Sequence, residues 1–111
     1  MITEHINQLR LKVPRVVPSI EFDPVVTAWY IRFSKTNVAK TISDDRPGYV
    51  CAIDLDAKNE VVGIELLGVQ EFSIKPFREM VAPFGVDLSG ADFENARYRS
   101  AARAAHAEAK A

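Results

Sequence analysis

Between Tyr49 and Gly68 the sequence reads YVCAIDLDAKNEVVGIELLG, and a β-hairpin satisfies this pattern better than any other element. Tyr49, Cys51, Ile53 and Leu55 alternate with Val50, Ala52, Asp54 and Asp56. Alternation of period two marks a strand buried on one face. Val62, Ile64 and Leu66 repeat the pattern after Asp56, Lys58, Asn59 and Glu60, residue types that suit a tight loop. Setting Asp56 opposite Asn59 pairs Ile53 with Val62, Cys51 with Ile64 and Tyr49 with Leu66. All three pairs then share one face, so burial sets the register. The other face carries Asp54 and Glu65 beside Ala52 and Gly63, which lack bulk. Glycine weakens a strand interior, which implies a bend or a group packed close over Gly63.

The rest of the chain can be placed around this hairpin. Ala28 to Ser34 reads as a second strand, with Trp29, Ile31 and Phe33 on the core face and Tyr30 and Arg32 on the other. Ile20 and Phe22 point one way and lead into a turn at Asp23-Pro24. Lys35-Thr36-Asn37 connects to a strand over Val38–Ile42, and Ser43 to Gly48 is dense in turn formers. At the N-terminus Leu9, Leu11 and Val13 alternate with Arg10 and Lys12, while Pro14 and Pro18 remove ladder donors. That arm is an edge or a bent connection. After Gly68 the period changes: Phe77, Met80, Val81 and Phe84 form a helical stripe, with Pro76 suited to the first turn and Pro83 and Gly85 ending it early. Ser89 and Asp92 have capping-box spacing and Leu88 and Phe93 staple spacing, so a second helix is expected from there through the Ala-rich end.

The expected fold class is therefore α+β: an antiparallel sheet of four to five strands, a meander of hairpins, followed by two C-terminal helices. One domain is expected over residues 1–111, with an arm at 1–18, the sheet core at 19–69 and a helical part at 74–111.

Composition narrows the function classes. A chain of 111 residues buries roughly two-thirds of its unfolded surface, enough for a core without metal or disulfide staples. The formal net charge of −1 gives no reason to expect nucleic acid or a membrane surface. The single cysteine, Cys51, excludes an internal disulfide and fits a reducing cytoplasm. No basic segment followed by an apolar run marks a signal peptide, and no apolar stretch approaches the ~20 residues of a membrane span. Charge is uneven along the chain, +3 over residues 1–43 and −4 over 44–79, which lets an acidic surface meet a basic one.

Several short motifs occur in a characteristic order. They are Glu21-Phe22-Asp23-Pro24, Ala28-Trp29-Tyr30-Ile31-Arg32-Phe33, Ile53-Asp54-Leu55-Asp56 and Val62-Gly63-Ile64-Glu65-Leu66-Leu67-Gly68. Over about Ile20 to Val69 the chain resembles a family of short prokaryotic proteins, domain of unknown function 2283. Trp29 stands where that family usually has Leu, and Val25-Val26-Thr27 replaces a more acidic segment. The resemblance implies a small strand-rich fold and supplies no activity and no catalytic residues.

The residues that carry chemistry are scattered. Asp54, Asp56 and Glu65 match calcium-loop positions by count, but Lys58 and Asn59 replace a ligand and the glycine the loop needs. In the expected register Asp54 and Glu65 stand about 13 Å apart at ~3.3 Å per residue. Hydrolytic carboxylate pairs need about 5–9.5 Å. Cys51 falls on the core face, and His5 and His106 lie near opposite ends, so no metal-ligand spacing arises. No phosphate-cradling glycine loop or nucleophile elbow is present. Tyr30 beside Arg32 could stack a base or pack with its hydroxyl bonded. Arg99, Arg103, His106 and Lys110 would form one basic stripe on a last helix.

These features point to a non-enzymatic protein, without cofactor or metal, that self-associates or binds a partner protein. A homodimer is the preferred assembly, because apolar residues such as Val50, Val61 and Leu67 fall on the second sheet face and the arm could cross to another subunit. By analogy alone, an antitoxin-like role is one form of such binding. The expected interaction residues are Tyr30, Arg32, Arg99, Arg103, His106 and Lys110. The alternative is a small-ligand binder or enzyme using a cleft between sheet and helices.

Overall fold

The central hairpin forms, and its backbone corrects the register expected from side-chain pattern alone. In the computed structural model, which describes residues 11–44 and 50–100 without the side chains of Asp44 and Ser100, Ile53 pairs with Ile64 and Cys51 with Leu66. Tyr49 lies outside the described residues. The pairing has moved by two residues, and two causes contribute one each. The loop is closed by Asp56 and Glu60, whose backbone N–H and C=O meet at 3.0 Å, so Ala57, Lys58 and Asn59 form a three-residue turn. Asn59 takes the left-handed conformation (φ 63°) that such a turn requires. Then Leu55 pairs with Val61 while Asp54 pairs with Gly63, leaving Val62 as the extra residue of a bulge. A shift of two keeps every side chain on its face, whereas a shift of one would have inverted the strand. With the bulge in place Val61 joins the buried core cluster and not the second face.

The described elements are β1 (Leu11–Lys12), β2 (Ser19–Asp23), β3 (Ala28–Arg32), β4 (Lys40–Asp44), β5 (Val50–Leu55), β6 (Val61–Leu67), α1 (Ile74–Val81), β7 (Val86–Asp87) and β8 (Arg97–Ser100). Six strands form one sheet in the order β4-β5-β6-β3-β2-β8, and β1 pairs with β7 as a separate ribbon. The class is α+β as expected. The sheet, however, is mixed, because β8 runs parallel to β2, and the described residues contain one α-helix instead of two.

The difference arises beyond Asp92. Its side chain does cap a turn, accepting from the Asn95 N–H at 3.3 Å, but the turn is a single 3-10 turn, Phe93–Asn95. The Arg97 N–H then bonds the Pro18 carbonyl at 3.1 Å, and the chain extends along the outer edge of β2. Pairing satisfies backbone groups that an uncovered β2 would leave without a protein partner, and this tertiary gain overrides the local helix signals. Residues 101–111 lie outside the described residues.

The first helix forms as the stripe predicts. Phe77 and Val81 are buried, Pro76 sits in the first turn, and the helix gives way to a 3-10 turn at Ala82–Phe84. Gly85 closes it with a positive φ of 73°, a conformation costly for any side-chain-bearing residue. The helix and its flanking loops cover one face of the sheet. There Ile20, Ile31, Ile53 and Ile64 are fully buried beside Leu55, Leu66 and Phe77. A run of ring contacts crosses this layer from Phe22 through Trp29, Phe72, Phe77 and Phe93 to Phe33, with centroids 4.4–6.1 Å apart. Trp29 is half-buried in it and donates its indole N–H to the Val69 carbonyl at 3.0 Å.

From Leu11 onward the N-terminal arm lies against its own chain. Leu11 N–H bonds Gly85 O, Val13 N–H bonds Asp87 O, and Val16 N–H bonds Gly90 O. Leu11 and Val13 are buried. An arm that crosses to a second subunit is therefore not retained for these residues.

Two measurements check this layer. Ile64→Ala removes a fully buried side chain and is expected to cost about 2–5 kcal/mol in urea unfolding; a loss below about 1 kcal/mol would contradict its central position. Asp56 caps its own loop: its carboxylate accepts the Glu60 N–H at 3.0 Å and the Lys58 N–H at 2.8 Å. The backbone N–H of Glu60 first, then that of Lys58 and the Thr36 hydroxyl, holds the carboxyl below its ordinary range against the opposing effect of burial. A depressed folded-state pKa gives stability that is present above the unfolded value and lost as pH falls through the folded one. Asp56→Ala should flatten the acid limb of a stability–pH curve; an unchanged limb would contradict the cap.

Candidate functional site

The face of the sheet away from α1 is open; beside a largely apolar row of Val50, Leu67 and Ala28, the strand registers arrange its polar groups in two rows. One row across β8, β2, β3, β6, β5 and β4 reads Arg97, Ser19, Arg32, Gly63, Asp54 and Thr41. The next reads Arg99, Glu21, Tyr30, Glu65, Ala52 and Ser43. Tyr30 joins the rows. Its phenol lies across Gly63, where a Cβ would overlap both the ring and its oxygen. This is the close packing that a mid-strand glycine implies, and the group responsible is Tyr30.

From there the contacts run in both directions. The Tyr30 hydroxyl donates to Asp54 Oδ2 at 2.8 Å, and Thr41 Oγ1 donates to Asp54 Oδ1 at 2.6 Å. Both carboxylate oxygens of Asp54 are thus engaged. Burial first, then the hydrogen bond to Asp54 and its charge, pushes the Tyr30 hydroxyl well above its ordinary pKa. On the other side the Arg32 guanidinium sits over the Tyr30 ring, 4.9 Å from its centroid. Arg32 Nε also lies 3.8 Å from Glu21 Oε2. Arg99 donates to that same oxygen through Nη2 at 2.8 Å and Nε at 3.2 Å. The Glu21 side chain is 10% exposed while that of Arg99 is 64% exposed, so the carboxylate is buried beneath the cations it pairs.

The charge of this face is polarised. Arg32, Arg97 and Arg99 gather at the β3-β2-β8 side, where Glu21 is shared by two of them. Asp54 and Glu65 lie on β5 and β6. A cleft of about 470 Å³ opens where β2 and β8 begin, lined in part by Ser19, Arg32 and Arg97.

Of the residues expected to form an interaction surface, the fold brings Tyr30, Arg32 and Arg99 together. Arg99 does so from a strand, so it cannot begin a helical stripe. Arg103, His106 and Lys110 lie outside the described residues. Asp54 and Glu65 are two positions apart in the actual register, not four, because Asp54 faces Gly63 and Glu65 faces Ala52. Glu21, Thr41 and Arg97 were not singled out by pattern. Alternation already placed Glu21 opposite Ile20 and Phe22, but its partner Arg99 arrives only with β8. Cys51 is buried in the core. Among the described residues no group of three or more His, Cys, Asp or Glu side chains could hold a metal ion. Nor is any described helix long and apolar enough to cross a membrane.

The fold and face define a small mixed-sheet α+β protein with one covered and one open polar side. Residues 19–70, the sheet core of this chain, match the model of a family described as protein of unknown function, DUF2283. No curated protein and no solved structure matches the chain significantly.

The Tyr30–Gly63 contact can be isolated by a double-mutant cycle. Gly63→Ala alone should cost about 1–3 kcal/mol through overpacking. In a Tyr30→Ser background the same change should be neutral or favourable, since Ala in a strand is better than Gly by about 0.5–1 kcal/mol. Additive effects would show that Tyr30 does not occupy the space over Gly63.

Proposed function

We propose that this is a non-enzymatic binding protein that self-associates through the open face of its sheet. The observation that carries the reading is the polarised charge of that face, basic at β3-β2-β8 and acidic at β5-β6. A two-fold axis parallel to the strands lays β8 of one copy over β4 of the other. Asp54 then faces the Arg97–Ser19–Arg32 segment of its mate, and the mate's Asp54 does the same in return. An isologous contact with this geometry is self-complementary without any change of shape. An axis perpendicular to the strands would set like charges together.

The polar row supports binding over reaction. Asp54 accepts hydrogen bonds from the Tyr30 and Thr41 hydroxyls on its two oxygens, so it is poorly placed to act as a general base. A buried Cys51 thiol accords with a reducing cytoplasm.

The size of the face sets the expected strength. Six strands at ~4.8 Å and about five residues at ~3.3 Å give roughly 500 Å² of projected area per copy. Stable complexes bury about 800 Å² per partner, so the dimer should be weak and concentration-dependent. Sedimentation equilibrium between about 1 and 100 μM should show a dimer that dissociates as salt rises, because the pairing charges are screened. Glu65→Lys should weaken it by removing part of the acidic half. A monomer mass at about 100 μM in low salt would rule out self-association through this face.

A further inference from the structure

We infer that the cleft where β2 and β8 begin binds a phosphate monoester carrying a small apolar body. Arg97, Ser19 and Arg32 are in-register neighbours on three adjacent strands. Strands ~4.8 Å apart put the two arginine backbones about 10 Å from each other, with only the small Ser19 side chain between them. Two long guanidinium side chains across such a gap can converge on one anion. Lys35, just past β3, and Asn95, just before β8, also line the cleft and add a third cation and an amide donor.

Among the described residues no carboxylate lines this cleft. The acid nearest in register, Glu21, spends one oxygen on both Arg32 and Arg99. One carboxylate thus serves two guanidiniums while Arg97 and Lys35 stand beside them, so in the monomer the cleft carries an excess of positive charge that an anion would offset. A phosphate monoester brings nearly two charges and three acceptor oxygens, which matches two forks, an ammonium and an amide better than one carboxylate does. The remaining wall is Val16, Val17 and Phe33, with Ser34 the one further polar residue. Val17 is 45% exposed, so its apolar surface is not absorbed by the core. The volume of about 470 Å³ far exceeds a bare phosphate and falls within the roughly 300–1,000 Å³ of small-molecule sites.

Binding in this cleft does not depend on self-association and is tested where the protein is monomeric, in the full chain at low micromolar concentration. Phenyl phosphate is titrated against backbone amide shifts, with inorganic phosphate and benzoate as comparison probes. Saturable shifts are expected at residues 16–19, 32–35 and 95–97, with phenyl phosphate binding most tightly. Arg97→Gln and Lys35→Gln, both exposed positions, should each weaken it by at least about tenfold, from the loss of a charge-assisted hydrogen bond. Arg15→Gln, an exposed arginine outside the cleft, should leave it unchanged. Absence of shifts in this region at about 10 mM phenyl phosphate would overturn the inference. So would equal affinity for benzoate, or unaltered binding in both cleft variants.

Discussion

Tyr30 can lie across β6 only because residue 63 has no side chain, and much of the open face depends on that contact. With the ring down, its hydroxyl reaches Asp54 on β5, one strand beyond its own neighbour. Its upper surface becomes a platform for Arg32. Arg32 in turn stands close to Glu21, the carboxylate that also holds Arg99 at the sheet edge. A Cβ at position 63 would lift the ring and uncouple each of these groups. The glycine thus gives up local strand stability, and the cross-strand hydrogen bond and ring packing offset the loss.

The two faces of the sheet use different physics. The covered face is held by area: isoleucines from four neighbouring strands meet α1 and the aromatic run, and little there is polar. The open face is held by a connected polar row in which each buried group has a partner. Among the described residues no buried side-chain nitrogen or oxygen lacks a hydrogen bond, as a partly desolvated network requires. The covered face gives the domain its stability. The open face, with its polarised charge and the cleft at one end, is where specificity can reside.

The alternation of the sequence made the covered face legible almost residue by residue. Ile20, Ile31, Phe33, Cys51, Ile53 and Ile64 were placed inward by period alone, and they are buried. The strand pairing was less legible, since side-chain period is blind to a shift of two. Only the left-handed Asn59 and the bulge at Val62 settle it. The C-terminal strand was hidden more deeply. Ser89 and Asp92 are true local helix signals, and up to Ser100 they lose to the backbone edge of β2, which no window of adjacent residues contains. For the same reason the site was half visible. Gly63 announced a close contact and Tyr30 with Arg32 an unusual pair, but nothing in sequence joined them. Glu21 and Arg99 stand 78 positions apart and meet only because β8 adds in parallel.

The open face therefore turns on whether the Tyr30 ring occupies the space over Gly63 in solution. A nuclear Overhauser spectrum of the isotope-labelled protein measures this directly. Contacts should appear between the Tyr30 ring protons and the Gly63 α-protons, with at least one of those α-protons shifted well upfield of the ordinary glycine range by the ring current. Gly63 α-protons at ordinary shifts, with no contact to Tyr30, would contradict the arrangement from which the whole open face has been built.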